Sequence, residues 1–508
     1  MRVPGPLLNA ALAGILLGVA FLPGPFPFLA WFAFVPLLDA LQNALRGEVR
    51  MRALFTIGWT FGLAFFLLGM HWIGLLSDVA MTHPWLKYPA WLLAAGYLAI
   101  FPGLMCMLCG ALVRHARASL AVAFPLALVV LEEVRGSGEL GFPWFQPGYT
   151  QAGYVPLLQM VSLGGVMLLT LWVALLNVLL WRALAGRQRG VALAGAVLAL
   201  LLPWVWGHRA LAAAPRGKGV PVALIQANVA GEMKWSGLHQ REILQTFLRL
   251  SEEATRAEPR PELIIWPETA TGSWLARQPE QLVPLTAFVA TNRVPVFAGY
   301  ADYDPPASEK SRRYNAAGLF TAEGPGERYA KRHLVPFGER MPFQGVLPFL
   351  GRLEFGQAEW TPGKRAVLFP SAAGPFGCLV CFESIFPDLS RRDVRAGARW
   401  LVNVTNDEWF GNSAALRQHA VMAAVRAAEN HVPVARCANT GLTVLYDASG
   451  RIVASLPVFA PGMLKVEVPP PGRPTPFTRF GDWPGMLCAA ACAFLFARAA
   501  ISPGPRVR

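Results

Sequence analysis

The stretch FGCLVCFES, residues 376–384, decides how the soluble half of this chain is read. An apolar run of strand length ends abruptly on an aromatic residue, a glutamate and a serine, the pattern of a buried strand that stops at a turn. Its C-x-x-C spacing invites a disulfide or a zinc site. Successive strand residues point to opposite faces, however, so Cys378 and Cys381 face away from each other unless the strand breaks between them. Cys381, late in the run and just before Phe382 and Glu383, is therefore the candidate nucleophile at a strand-to-helix turn. It needs a nearby base or cation to become a useful thiolate.

Outward from this strand, residues 220–468 alternate β-rich runs with helical ones. VPVALIQANV, LIIWPE, VPVFAGY, YNAAGLF, AVLF, WLVNVTN, PVARCANTG and LTVLYD read as strands. Segments through Ile243 and Phe247, around Leu285, near Leu389 and from Leu416 to Asn430 read as helices. Such interleaving implies a layered α/β domain. Two further strings in it carry candidate chemistry. IIWPET places Glu268 at the C-terminal end of an apolar strand, where catalytic groups of open α/β sheets sit. YAKRHLVPFGE carries Lys331, His333 and Glu339 beside a rigid Pro/Gly turn. His333 lacks partners at metal-ligand spacing and is read as structural.

The remainder of the chain is different. Of 508 residues 54% are hydrophobic and only 15% charged, with mean hydropathy +0.40, against about 25% charged in an ordinary soluble domain. Disorder and a small disulfide scaffold are both excluded; the seven cysteines include four inside apolar runs, Cys106, Cys109, Cys488 and Cys492. Apolar blocks run from Leu7 to Leu22, Phe28 to Leu41, Leu54 to Leu76, Trp91 to Val113, Leu120 to Leu131, Pro156 to Leu180, Val191 to Trp206 and Pro484 to Ala497. They predict about eight transmembrane helices, of which the second and fifth fall short of the ~20 residues a span requires. The first is read as a retained span rather than a cleaved signal. The expected organisation is a membrane domain over 1–207 with seven spans, an extramembrane domain over 208–483 with flanking linkers, and an eighth span with a tail over 484–508.

Charge gives the orientation. With the N-terminus inside, the inner segments hold twelve basic residues (Arg2, Arg46, Arg50, Arg52, Arg114, Arg117, Arg182, Arg187, Arg189, Arg498, Arg506, Arg508) against Glu48 alone. The outer loops, 77–90 and 132–153, hold Lys87 and Arg135 against Asp78, Glu132, Glu133 and Glu139. The positive-inside rule then places both termini in the cytoplasm and the large domain outside. Residues 208–482 carry 31 basic and 25 acidic residues, so most of the formal +14 is a topology signal and implies no nucleic-acid partner.

In this order, Glu268, Lys331 and Cys381 resemble the Glu-Lys-Cys triad of the nitrilase superfamily of carbon-nitrogen hydrolases. With the predicted spans, and with GFPWFQPGY, WPET, KRHLVPFGE, CFE and VNVTNDEWFG, the whole chain resembles the apolipoprotein N-acyltransferases, the membrane-bound branch of that superfamily. The resemblance implies a nitrilase-like αββα sandwich outside a bacterial inner membrane, on the periplasmic side. It implies Glu268 as general base, Lys331 as oxyanion stabiliser and Cys381 as nucleophile. Glu339 and Glu383 follow as supporting catalytic residues, and Trp235, Asn315 and Phe382 as substrate-binding candidates. Many relatives have tyrosine at the position of Phe382, so a role for that hydroxyl is lost here. No metal or cofactor is expected. The implied partners are a phospholipid acyl donor such as phosphatidylethanolamine and a diacylglyceryl apolipoprotein acceptor, acted on by a monomer through a ping-pong thioester.

Segments 337–351 and 354–362, rich in Phe, Leu, Gly and Pro, are candidate lids, and the membrane-embedded His71 is a functional candidate by default, with a hydrogen-bonded structural histidine near the span end as the competing reading. A membrane-tethered amidase would use the same triad but has no need of eight spans. A transporter with an outer binding domain leaves the triad unexplained. The orientation is checked with a phosphatase reporter active only outside the cytoplasm: fused after Gly186 it is expected to be inactive, and after Gly219 active.

Overall fold

The computed structural model describes residues 5–78, 83–186, 188–213, 217–306, 311–352 and 359–501. The chain forms two compact units: Met1–Leu75 with Trp85–Ala212 and Phe480–Arg508, and Leu76–Pro84 with Ala213–Arg479.

The first unit is helical. Six of its helices are long and apolar enough to cross a membrane: Pro27–Arg46, Met51–Leu75, Pro84–Arg114, Val161–Leu184, Arg189–Ala212 and Trp483–Ile501. The expected eight are thus six by length and composition among the described residues. The first block forms Pro6–Ala20, only 15 residues, and the fifth forms Leu120–Arg135, 16 residues with charges in its last turn. The second block, expected to be short, gains length from a 3-10 turn over Pro27–Trp31. The backbone break after that turn is satisfied by the fully buried Asn177, which accepts from the Phe34 amide at 2.8 Å and donates to the Ala30 carbonyl at 2.8 Å. An apolar setting demands such a partner for every freed backbone group. Glu132 and Arg135 differ from their reading as outer-loop charges. They form a buried pair at 2.5 Å inside the last helical turn, because i,i+3 spacing lets each neutralise the other. Where Met51–Gly69 crosses Ile100–Arg114, a Cβ on Gly58 would sit 2.1 Å from the Pro102 carbonyl, so these backbones meet at a residue without a side chain.

The second unit is a four-layer sandwich. Its strands are β1 (Val220–Gln226), β2 (Leu263–Ile265), β3 (Val296–Tyr303), β4 (Arg313–Thr321), β5 (Gly324–Ala330), β6 (Leu368–Phe369), β7 (Phe376–Val380), β8 (Trp400–Thr405), β9 (Val434–Ala438), β10 (Val444–Tyr446), β11 (Ile452–Ser455) and β12 (Gly462–Val468). One sheet has the order β12-β1-β2-β3-β4-β5, the other β11-β10-β9-β8-β7-β6. β1, β2 and β3 pair in parallel, as do β7, β8 and β9, while the remaining strands join antiparallel.

Pleating sorts each strand's residues between layers. Val222, Leu224, Leu263, Ile265 and Phe297 face Phe376, Cys378, Val380, Val402 and Val404 in the core between the sheets. Ala223, Ile225, Ile264 and Val296 point the other way, under helices Gln240–Arg256 and Pro279–Asn292. Leu379, Leu401 and Val434 pack under Pro387–Arg395 and Ala414–Asn430. This is the expected αββα arrangement.

Phe297 is fully buried between the sheets, its ring 4.8 Å from that of Phe369 and 5.0 Å from that of Phe376. Phe297→Ala is expected to cost about 3–5 kcal/mol through lost burial and an unfilled cavity, read as a lowered midpoint in thermal unfolding of the detergent-solubilised chain.

Candidate active site

The strand β7 ends at Val380 and the chain turns into a 3-10 helix, Cys381–Ile385. At the turn Cys381 adopts φ +49°, a left-handed conformation that costs an L-residue about 1–2 kcal/mol. Hydrogen bonds hold it there. Ser384 Oγ donates to the Cys381 carbonyl at 3.1 Å, and Asn403 Nδ2 donates to the Leu379 carbonyl at 3.0 Å. The break also overrides strand alternation: Cys378 and Cys381 both border the core between the sheets, yet both are free thiols. Burial pushes the Cys381 thiol up, and the Glu268 carboxylate adds to this, while the Lys331 ammonium and a hydrogen bond with Thr405 oppose them. Burial thus favours the protonated thiol, and use of this sulfur as a nucleophile would call for a base beside it.

Glu268 follows β2 and is 5% exposed. One carboxylate oxygen accepts from Asn315 Nδ2 at 2.7 Å and lies 3.5 Å from Lys331 Nζ; the other accepts from the Asn406 backbone amide at 2.8 Å. Lys331 follows β5, is 1% exposed and donates to Glu339 Oε1 at 2.9 Å. Burial works against its charge, but Glu339 and Glu268 outweigh that and hold the ammonium above its ordinary range. Asn315, on β4, also donates to Glu339 Oε1, at 3.0 Å, so its amide bridges the two carboxylates. The second oxygen of Glu339 accepts from the Val335 amide at 2.8 Å, which ties the turn after Lys331 back onto the lysine's own partner.

Glu383, fully buried, belongs to the frame of the site. It accepts four hydrogen bonds: from Val380 N at 2.7 Å, Tyr329 Oη at 2.6 Å, Arg332 N at 2.6 Å and His333 N at 3.1 Å. It therefore locks the Cys381 turn to the chain on both sides of Lys331. Phe382 sits in an aromatic cluster with Phe386 at 5.3 Å and His333 at 6.0 Å, so the ring position is used for packing. His333 stacks on Phe386 at 3.7 Å, in keeping with a structural histidine. Trp235 is 43% exposed, with Lys234 Nζ 5.5 Å from its ring centroid. His71 Nδ1 lies 2.8 Å from the Leu68 carbonyl, an ordinary local bond. Of the two candidate lids, segment 337–351 exposes Phe337, Phe343, Val346, Leu347 and Phe349; residues 354–358 of the other lie outside the described residues.

Several residues at the site had no role assigned from sequence. Lys234, fully buried, donates to the Glu268 carbonyl at 3.1 Å, and burial lowers its pKa to about 8 against the pull of Glu268 and Glu408. Asn406 and Thr405 lie within the VNVTNDEWFG string; a run of Asn, Thr and Asp closing an apolar strand was the available signal. Cys381, Asp407 and His419 also place ligand-type atoms within 4.8 Å of one another. Arg436 Nη2 donates to Asp407 Oδ2 at 2.5 Å and lies 3.1 Å from His419 Nδ1, so a guanidinium already sits against two of the three.

Comparison with known proteins bears on this geometry. Residues 13–179 match the model of the apolipoprotein N-acyltransferase N-terminal domain, and residues 221–473 that of the carbon-nitrogen hydrolases. The apolipoprotein N-acyltransferase of Geobacter metallireducens is 36% identical, over 97% of this chain and 95% of the relative. The chain belongs to the apolipoprotein N-acyltransferase family. That of Methylococcus capsulatus is 35% identical, over 97% of this chain and 96% of its own length. Among solved structures, Saccharomyces cerevisiae Nit3 of the nitrilase superfamily matches 58% of this chain and 99% of its own, with TM-score 0.38 and 18% identity. As an apolipoprotein N-acyltransferase the chain is a membrane-associated acyltransferase built on a nitrilase-like domain.

Glu383→Gln keeps the shape but turns an amide NH₂ toward donors that need an acceptor. It is expected to cost about 1–3 kcal/mol and to slow modification of Cys381, checked by thermal unfolding and by the rate of thiol alkylation.

Proposed function

We propose that this chain transfers an acyl group from the sn-1 position of a phospholipid to the free α-amino group of an S-diacylglyceryl cysteine at an apolipoprotein N-terminus, the last step of lipoprotein maturation. The observation that carries the reading is the convergence of a buried, protonated Cys381 with a carboxylate and an ammonium, Glu268 and Lys331, which the thiol senses in opposite directions. In the first half-reaction Glu268 takes the Cys381 proton as sulfur attacks the ester carbonyl. Lys331 stabilises the oxyanion, and collapse expels the lysophospholipid alkoxide, which recovers the proton from Glu268. A thioester remains. In the second half, the neutral α-amine attacks that thioester, Glu268 takes a proton from nitrogen and returns it to the departing thiolate, and an amide is released. Neither half requires a metal or a redox cofactor.

Glu339 and Asn315 serve as the brace that keeps Lys331 charged and Glu268 aimed. Glu383 holds the nucleophile turn. Trp235 and the apolar face of segment 337–351 are the substrate-side candidates, because both donor and acceptor carry chains that are costly to move from a bilayer, at ~0.8 kcal/mol per CH₂. The arginine-rich inner segments support an inner-membrane protein with cytoplasmic termini and a periplasmic catalytic domain over 208–483. Phosphatidylethanolamine as donor and a monomeric enzyme complete the proposal.

The test is Cys381→Ala in cells depleted of their own acyltransferase, followed by mass spectrometry of lipoprotein N-termini. The wild-type chain is expected to restore N-acylation and the variant to abolish it. Incubated with labelled phospholipid, the wild-type enzyme should carry a hydroxylamine-labile acyl group on Cys381. Its absence, with turnover of small amides instead, would replace the reading with a tethered amidase.

A further inference from the structure

The string VNVTNDEWFG, residues 402–411, is used by the mechanism only through the Asn406 amide, yet most of its polar side chains are fully buried. Asn403, Asp407, His419 and Arg436 are each 0% exposed. Burying an aspartate, an arginine, a histidine and an amide together is costly unless the network satisfies them and fixes something in return. The bonds all lead to one place. Arg436 donates to Asn403 Oδ1 at 2.5 Å and to Asp407 Oδ2 at 2.5 Å; Thr405 Oγ1 donates to Asp407 Oδ1 at 2.9 Å. His419 Nδ1 lies 3.0 Å from Asp407 Oδ1 and 3.1 Å from Arg436 Nη2. On the other side of the ring, His419 Nε2 lies 3.1 Å from the Cys381 carbonyl oxygen and 3.1 Å from Ser384 Oγ. Asn403 Nδ2 reaches the same carbonyl at 3.5 Å.

We propose that His419, oriented by Asp407 and Arg436, is a positioning residue that holds the Cys381 turn in its left-handed conformation and so aims the sulfur. The left-handed φ of +49° is intrinsically unfavourable for cysteine and persists only where surroundings over-determine it. Two of the three polar side chains that reach the Cys381 carbonyl, Asn403 of β8 and His419 of helix Ala414–Asn430, lie outside the turn and only Ser384 belongs to it, so the turn is held from outside. With the proton on Nε2 the ring donates to the Cys381 carbonyl beside the Ser384 hydroxyl, which donates to the same oxygen, while Nδ1 accepts from Arg436 Nη2. Burial and the neighbouring Arg436 lower the tendency of the ring to charge, which keeps it in a neutral form. A sulfur displaced by as little as ~1 Å from its line of attack loses about a hundredfold in rate. Substrate contacts are untouched, so the effect falls on the acylation rate and not on phospholipid affinity.

The acylation part of this inference rests on the proposed phospholipid chemistry; the positioning part does not, and two readouts separate them. In the full-length detergent-solubilised enzyme, His419→Gln retains an amide at the distal position, next to Cys381 and Ser384, while His419→Asn retains one only at the proximal position, next to Asp407. Iodoacetamide modification of Cys381, followed by peptide mass spectrometry, reads the turn without any lipid; single-turnover thioester formation from phosphatidylethanolamine vesicles reads the reaction. His419→Gln is expected to react at least roughly tenfold faster than His419→Asn in both assays, at similar thermal midpoints and with unchanged dependence on lipid concentration. Ser384→Ala, a small change certain to test the clamp if both histidine variants fail to fold, is expected to slow both readouts severalfold. Equal rates for the Gln and Asn variants, or a wild-type rate for Ser384→Ala, would overturn the assignment. If alkylation follows the expected order while no vesicle lipid acylates even the wild type, the positioning role stands and the phospholipid reading falls.

Discussion

A lysine ammonium with only 1% exposure must have anionic partners, and much of the site is arranged around that requirement. Lys331 meets Glu339 at 2.9 Å and Glu268 at 3.5 Å. These carboxylates come from different segments, one after β2 and one from the turn beyond Lys331 itself, so pairing the lysine fixes the ends of two strands relative to each other. Asn315 repeats the constraint, its amide donating to both carboxylates. The same cluster sets the electrostatics of the thiol, which is raised by burial and by Glu268 and eased by Lys331. One buried charge thus couples the geometry of the sandwich to the reactivity of a cysteine on its second sheet.

That second sheet is connected by a different device. Glu383 gathers four donors, two from the Lys331 side and two others from Val380 and Tyr329, so a single carboxylate staples the Cys381 turn to β5 and the chain that follows it. Behind the turn, the network from Arg436 through Asp407 to His419 performs the corresponding task from the outer face of β8 and β9. The strained cysteine is therefore supported on both sides. Lys331, Glu383 and Asp407 are each buried with partners, and each of them also ties two segments together.

Much of this was legible in the chain. Apolar strands closing on Glu268 and Cys381 mark where sheet ends deliver chemistry, and long apolar blocks separated by arginines mark the membrane region. Less legible were the short or exposed strands. β5 is half exposed, β11 is mostly exposed, and β12 pairs with β1 across more than two hundred residues. β5 and β11 carry no strong local hydrophobic period, whereas β12 alternates Leu464, Val466 and Val468 with Lys465 and Glu467 and is hidden only by its distance in sequence from β1. Span length is underestimated where a helix is extended by a 3-10 turn, as at Pro27–Trp31, and a helix end is misplaced where a buried ion pair carries charges inside it, as for Glu132 and Arg135, although that helix stays short at 16 residues. Local composition does not record such compensation.

By itself the sequence determined the two-part organisation, the α/β class of the soluble part, and the identities of Glu268, Lys331 and Cys381 as the residues to watch. These follow from periodicity, charge and residue chemistry, which are local properties. Only the tertiary structure decided that the strand breaks at Cys381 so that alternation fails there, that Glu383 supports the frame, that Asn315 bridges two carboxylates, and that His419 sits against the Cys381 carbonyl. Each of those is a contact between residues tens of positions apart or more, or a backbone conformation that distant hydrogen bonds make affordable, and its energy is defined only once the layers have closed around it.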